Sequence, residues 1–208
     1  MINLVDISKA YKGIDLFDQI SCEFPLGKKI LIKGPNGSGK SVLLKMIVGY
    51  SLPDSGQVLI DQEVLGEKRD FIPNAGVSIN APEFQSDLTG LENLLELAKI
   101  RKVTSKKEIL ELAKDLKLNN LNKKYKYYSL GMKQKMRIIQ AIMDHPKYLI
   151  LDEPFDALDQ ESQEITRNLL KDYITEDKLL IFTCHNIEYE DFADIIYEIN
   201  NYKVQRIK

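Results

Sequence analysis

The 208-residue sequence predicts an α/β fold, with a mostly parallel sheet covered on both faces and a block of helices inserted into it. Three observations predict it. Two continuous apolar runs, Tyr148-Leu149-Ile150-Leu151 and Leu179-Leu180-Ile181-Phe182-Thr183, read as strands buried on both faces, as parallel strands are. A short strand candidate at 28–33 leads through Gly-Pro-Asn-Gly-Ser-Gly-Lys-Ser, residues 34–41, into a helical pattern. Between about 87 and 143 apolar residues recur at helical spacing, with few strand signals.

In chain order, residues 1–33 are β-rich: Ile2, Leu4 and Ile7 alternate loosely, and Lys28-Lys29-Ile30-Leu31-Ile32-Lys33 runs into Gly34. A helix is expected at about 40–49, with Val42, Leu43, Met46 and Ile47 on its apolar face. Leu52-Pro53-Asp54-Ser55-Gly56 predicts a turn and Val58-Leu59-Ile60 a strand. Val77-Ser78-Ile79-Asn80 predicts a short strand ending in a loop. Thr89 and Glu92 have capping-box spacing ahead of Leu91, Leu94, Leu95 and Ala98. Ile109, Leu112, Ala113 and Leu116 mark a second helix. Ser129 caps a third, whose stripe Met132, Met136, Ile139 and Met143 reads as core packing. The tail from Ile195 to Ile207 predicts two strands about an Asn200-Asn201 turn. The predicted organisation is one domain over 1–208: a core of 1–86 and 144–208, and a helical subdomain of 87–143.

Composition narrows the function classes. Apolar residues are 44% and charged residues 29%, and the net charge of −2 gives no global basic field for nucleic acid. Cys22 and Cys184 are far apart in apolar contexts, which predicts buried, reduced thiols and a reducing compartment. The first residues lack the pattern of a secretory leader, and no apolar run approaches the roughly 20 residues of a membrane helix.

The chemistry concentrates at the C-terminal ends of the predicted strands. Residues 34–41 satisfy every fixed position of G-x-x-x-x-G-K-[ST] between a strand and a helix, the pattern of a P-loop nucleotide site. Gly37 and Gly39 let the backbone turn its N–H groups toward phosphate oxygens. Lys40 brings a point charge to the β- and γ-phosphates, and the Ser41 hydroxyl suits Mg²⁺. The strand at 148–151 ends in Asp152-Glu153, where ligands bind in open α/β sheets. Asp152 is the candidate to hold Mg²⁺ through water, and Glu153 to polarise an attacking water. His185, after the strand at 179–184, is the candidate γ-phosphate contact.

In this order along nearly the whole chain, these motifs resemble the ATP-binding cassette (ABC) ATPases. Gly34 to Ser41, including Asn36 and Ser38, resembles the Walker A motif, and Leu151-Asp152-Glu153 the end of Walker B with the catalytic glutamate. Ala157-Leu158-Asp159 is similar to the D-loop, His185 to the switch histidine, and Tyr11 to the aromatic that stacks on adenine. Tyr128-Ser129-Leu130-Gly131-Met132 resembles the signature motif, usually Leu-Ser-Gly-Gly-Gln. The resemblance implies a P-loop NTPase core with an antiparallel β subdomain. It implies ATP and Mg²⁺ bound by Tyr11, residues 34–41 and Val42. Asn80 stands at the family's usual Gln, one methylene shorter, toward the metal. Ser129, Gly131 and Asp159 would serve ATP held by a second ABC ATPase chain.

The function so implied is the ATP-hydrolysing subunit of an ABC transporter. It would drive a polytopic membrane subunit by ATP-dependent dimerisation, from the inner face of the cell membrane. The strings at 87–94 and 129–135 are most like bacterial drug- and antibiotic-resistance exporters, which favours export over import. A soluble ABC ATPase acting on nucleic acid, the ribosome or an assembly complex is the competing reading. It would use the interleaved run Lys123-Lys124-Tyr125-Lys126-Tyr127-Tyr128, for which a solvated loop and no nucleic-acid partner is the preferred expectation.

Overall fold

The computed structural model describes residues 1–11, 13–184 and 189–208. Two sheets organise it. β1 (Ile2–Tyr11) and β2 (Ile14–Phe24) form a long hairpin, extended by β4 (Ser55–Ile60) and β5 (Glu63–Val64) into an antiparallel sheet of order β2-β1-β4-β5. The second sheet contains β3 (Lys28–Lys33), β6 (Ala75–Ser78), β7 (Tyr148–Leu151), β8 (Leu179–Thr183), β9 (Ile195–Asn200) and β10 (Lys203–Arg206). Its order is β10-β9-β3-β8-β7-β6, parallel throughout except for the β9–β10 hairpin at one edge.

Side chains alternate between the two faces of the sheet, and both faces are covered, so the buried stretches of the central strands are runs of apolar residues. Ile30, Ile32, Tyr148, Ile150, Leu179 and Ile181 enter a core shared with the antiparallel sheet and helix α1 (Lys40–Val48). Leu31, Leu149, Leu151, Leu180 and Phe182 enter the opposite core. That core is built from α2 (Gly90–Arg101), α3 (Lys106–Asp115), α4 (Leu130–Ile142) and α5 (Gln160–Tyr173). Met136, Ile139 and Met143 lie fully inside it and Met132 packs at its margin, so the methionine stripe is core.

Local chemistry sets the helix ends. Thr89 and Glu92 close the expected capping box, and Ser105 and Glu108 close a second. Hydrogen bonds from the Ser105 hydroxyl and backbone N–H hold the Glu108 carboxylate well below the usual range, at about 2. Gly49 ends α1 in the left-handed conformation, its N–H directed to the carbonyls of Lys45 and Met46. Burial pushes the Cys22 thiol up to about 12, and Cys184 is also buried, so both thiols are shielded from solvent.

Three expected boundaries move. The strand expected at 77–80 lies at Ala75–Ser78, because Asn80 and Ala81 take positive φ (56° and 48°) and leave the extended conformation. The turn expected at 52–56 ends earlier, since β4 begins at Ser55, which pairs with Ser8. The last hairpin turns on Asn201 and Tyr202 (φ 47° and 63°), while Asn200 still pairs with Lys203.

Candidate functional site

The phosphate loop is set by the end of β3 and the start of α1. Gly37 and Gly39 have φ of 79° and 99°, and a Cβ on Gly39 would stand 2.8 Å from Phe17 Cζ. Gly39 is the N-cap of α1. The first-turn N–H groups of a helix have no intrahelical acceptors and lie at the positive end of its dipole, which suits an anion. Ser38 N–H donates to Pro35 O at 3.2 Å and tightens the loop. Lys40 Nζ folds back to donate to Gly34 O (2.8 Å) and Pro35 O (3.1 Å). Burial pushes the Lys40 pKa down, against the raising influence of Glu153 and Asp152. A phosphate in the loop would relieve that desolvation and replace the carbonyls as Lys40's partner.

The acids meet this loop from β7. Ser41 Oγ donates to Asp152 Oδ2 at 2.7 Å, a contact spanning 111 residues of sequence. Asp152 N–H donates to Ser78 O at 2.7 Å, which seats the acid against the end of β6. Glu153 has φ of 51°, a left-handed backbone at the strand end. Two cavities flank this arrangement. One, of about 270 Å³, is lined by Tyr11, Leu16, Asn36, Gly37, Gly39, Lys40, Ser41, Val42 and Glu153. The other, of about 290 Å³, is lined by Ser41, Asn80, Asp152 and Glu153 with Gln134 and Arg137 of α4. Ser41 and Glu153 face both, so the candidate phosphate, metal and water-activating groups converge.

Tyr11 stands at the end of β1, 55% exposed, on the wall of the first cavity. An aromatic ring on the wall of a cavity beside a phosphate loop has the flat apolar face that suits stacking against a base. Asn80 reaches the second cavity from a left-handed turn rather than from a strand. That turn is held by Arg137, whose Nε donates to Pro82 O (3.2 Å), Nη1 to Gln134 Oε1 (3.2 Å) and Nη2 to Glu83 (3.3 Å). Gln134 in turn donates to Glu153 O at 3.0 Å. Sequence reading missed Gln134, Arg137 and the buried Thr183. On α4 the first two look like a solvated face, and Thr183 looks like the last residue of an apolar strand.

No residue of the signature-like segment lines either cavity, although Ala157, beside Gly131, lines the second. Ser129 is the N-cap of α4, its Oγ accepting from Met132 N–H at 3.2 Å, and Leu130 beside it is 72% exposed. A Cβ on Gly131 would come within 3.0 Å of Ala157 O. Asp159 is the N-cap of α5 and accepts from Ser162 N–H at 2.8 Å. Ser129, Gly131 and Asp159 line neither cavity beside residues 34–41. His185 lies outside the described residues. In the Lys123–Tyr128 run, Tyr125 and Tyr128 are core residues and Lys126 pairs with Asp87 at 2.7 Å, which leaves only Tyr127 exposed among the aromatics.

Among the described residues no helix is long and apolar enough to cross a membrane, and no group of three or more His, Cys, Asp or Glu is placed to hold a metal alone. One hydroxyl and one carboxylate at the mouth of a phosphate loop are hard oxygen donors. They fit Mg²⁺, which takes few protein ligands and completes its shell with phosphate and water.

Comparison with known proteins gives the chain's relatives. The family model described as "ABC transporter" matches residues 17–156. An uncharacterized ABC transporter ATP-binding protein of Bacillus subtilis, YybJ, is 32% identical over 99% of this chain and 95% of its own length. The bacitracin transport ATP-binding protein BcrA of Enterococcus faecalis is 34% identical over 94% of this chain, which spans 65% of that relative. A solved dimeric ATP-binding cassette in a post-hydrolysis state, bound to ADP and Pi, aligns over all of this chain and 99% of its own, with 26% identity and a TM-score of 0.86. On the family model and on the relative matched along almost its whole length, the chain belongs to the ABC transporter family, as an ATP-binding subunit with the fold of an ABC ATPase.

Proposed function

We propose that this chain hydrolyses Mg²⁺·ATP to drive export through a separate polytopic membrane subunit, working as one of two cassette chains that share their nucleotide sites. The observation that carries the shared site is the separation within one chain. Ser129 and Gly131 offer a capped helix start, yet line neither cavity beside the chain's own phosphate loop. A second chain, another copy or a companion cassette, would bring that helix start to the γ-phosphate. The dimeric state of the solved relative supports this.

In this reading Lys40 and the N–H groups of residues 36–41 bind the phosphates, Tyr11 and Val42 border the base and sugar, and Ser41, Asp152 and Asn80 face Mg²⁺. When bound, Mg²⁺ supplies charge neutralisation at the β- and γ-phosphates. Glu153 orients and deprotonates the attacking water, and Ser129, Gly131 and Asp159 complete the partner's site. We assign His185 to the γ-phosphate on sequence grounds. We also divide the chain into a core (1–86, 144–208) and a helical unit (87–143), which α2, α3 and α4 support. Motion would pass to the membrane subunit, at the inner face of the cell membrane, through the Asn80–Asp87 loop. The bacitracin-transport relative supports an antibiotic-type cargo.

Ser129→Arg tests the shared site. The variant is expected to bind a fluorescent ATP analogue as the parent does, because Ser129 serves another chain's nucleotide, while turnover falls by about 10²-fold or more. Loss of binding by the isolated chain, or unchanged turnover, would contradict it. Loss of the cap itself costs only about 1 kcal/mol, so the fold persists.

A further inference from the structure

We propose that Thr183 is a positioning residue that ties the carboxylate of Asp152 to the backbone of Glu153, so that the metal-facing and water-activating acids keep one fixed geometry. This rests on the roles given above to Asp152 and Glu153. Thr183 ends β8 and is fully buried, with Phe182 paired to Leu151 on the neighbouring strand. Its hydroxyl donates to Asp152 Oδ1 at 2.6 Å and accepts from Glu153 N–H at 2.9 Å. A hydroxyl has one proton, and here it is committed to the carboxylate, which leaves a lone pair for the amide.

The consequence for each acid differs. Asp152 is gripped by two hydroxyls, Ser41 on Oδ2 from α1 and Thr183 on Oδ1 from β8. When Ser41 turns toward Mg²⁺, Thr183 still fixes the carboxylate plane. Glu153 sits at φ 51°, a conformation that persists only where its surroundings hold it. Its N–H is held by Thr183 and its C=O by Gln134. Removing the Thr183 hydroxyl would leave a half-buried amide and a half-buried carboxylate oxygen each short of a partner.

Thr183→Val keeps the side-chain shape and the strand preference but deletes the hydroxyl; Thr183→Ser keeps the hydroxyl. Binding of a fluorescent ATP analogue is titrated against Mg²⁺, and turnover is measured at saturating Mg²⁺. For Thr183→Val the Mg²⁺ concentration at half-effect is expected to rise, and turnover to fall, each by about tenfold or more; Thr183→Ser is expected to restore both. A valine variant with the parent's Mg²⁺ requirement and turnover would overturn the proposal while leaving the roles of Asp152 and Glu153 intact. Parent protein that binds nucleotide without regard to Mg²⁺ would overturn those roles and the proposal together. Amide exchange in the parent covers a valine variant that fails to fold: protection of the Glu153 N–H supports the tie, and exchange at the open-chain rate overturns it.

Discussion

Replacing Glu153 by Gln is expected to stop turnover and, with ATP and Mg²⁺ present, to hold two cassette chains together around uncleaved nucleotide. The substitution changes little but charge. Glu153's backbone contacts, from its N–H to Thr183 and from Gln134 to its C=O, do not depend on the side chain. Lys40, Ser41 and Asp152 keep their positions, so nucleotide binding persists. What disappears is the carboxylate that takes a proton from water, and loss of a general base costs about 10²–10⁴-fold in rate. The clamp then closes without the step that opens it. Light scattering after size-exclusion chromatography should report an ATP-dependent dimer, formed with another copy or with its companion cassette. Lost turnover with no such dimer in either mixture would contradict the shared site.

Gly76→Ala is expected to have the largest effect on stability. Gly76 lies in β6, paired with Leu149 of β7, where the sheet edge meets α4. A Cβ there would overlap the Ala141 carbonyl oxygen and come within 2.8 Å of Pro146 Cγ. Backbone and a proline ring cannot rotate aside, so either β6 or the C-terminal turn of α4 must shift. A shift of this kind costs about 3 kcal/mol or more. In a chain of this size that lowers the thermal midpoint by roughly 6–12 °C. The damage would reach the site, because β6 supplies the Ser78 carbonyl that seats Asp152, and α4 carries Ser129 at its other end. An unchanged melting curve would contradict the packing described for this edge.

Much of this was legible in the sequence, for physical reasons. The strands at 148–151 and 179–183 match their expected ranges because burial on both faces makes them continuous apolar runs, broken only by Thr183 at the end of the second. The phosphate loop was legible because its glycines, Lys40 and Ser41 each answer a separate demand of a phosphate. The β1–β2 hairpin was only loosely visible: positive φ at Asp6 and Gln19, with register shifts between Leu4 and Ile7, breaks its alternation. Helix α5 went unread, though Asp159 caps it and Ile165, Leu169 and Leu170 pack against the core. In the sequence Asp159 stands out as a D-loop-like residue, and its capping role shows only in the fold. Thr183, Gln134 and Arg137 carry no local signature, since each acts across more than one strand or helix.

The most direct test of the transporter reading is what accompanies the chain when a tagged copy is recovered from detergent-solubilised membranes. The account predicts a stoichiometric polytopic membrane protein. Recovery in a soluble complex or with RNA, and with no membrane partner, would contradict it and return attention to Tyr127 and the lysines at 123–126.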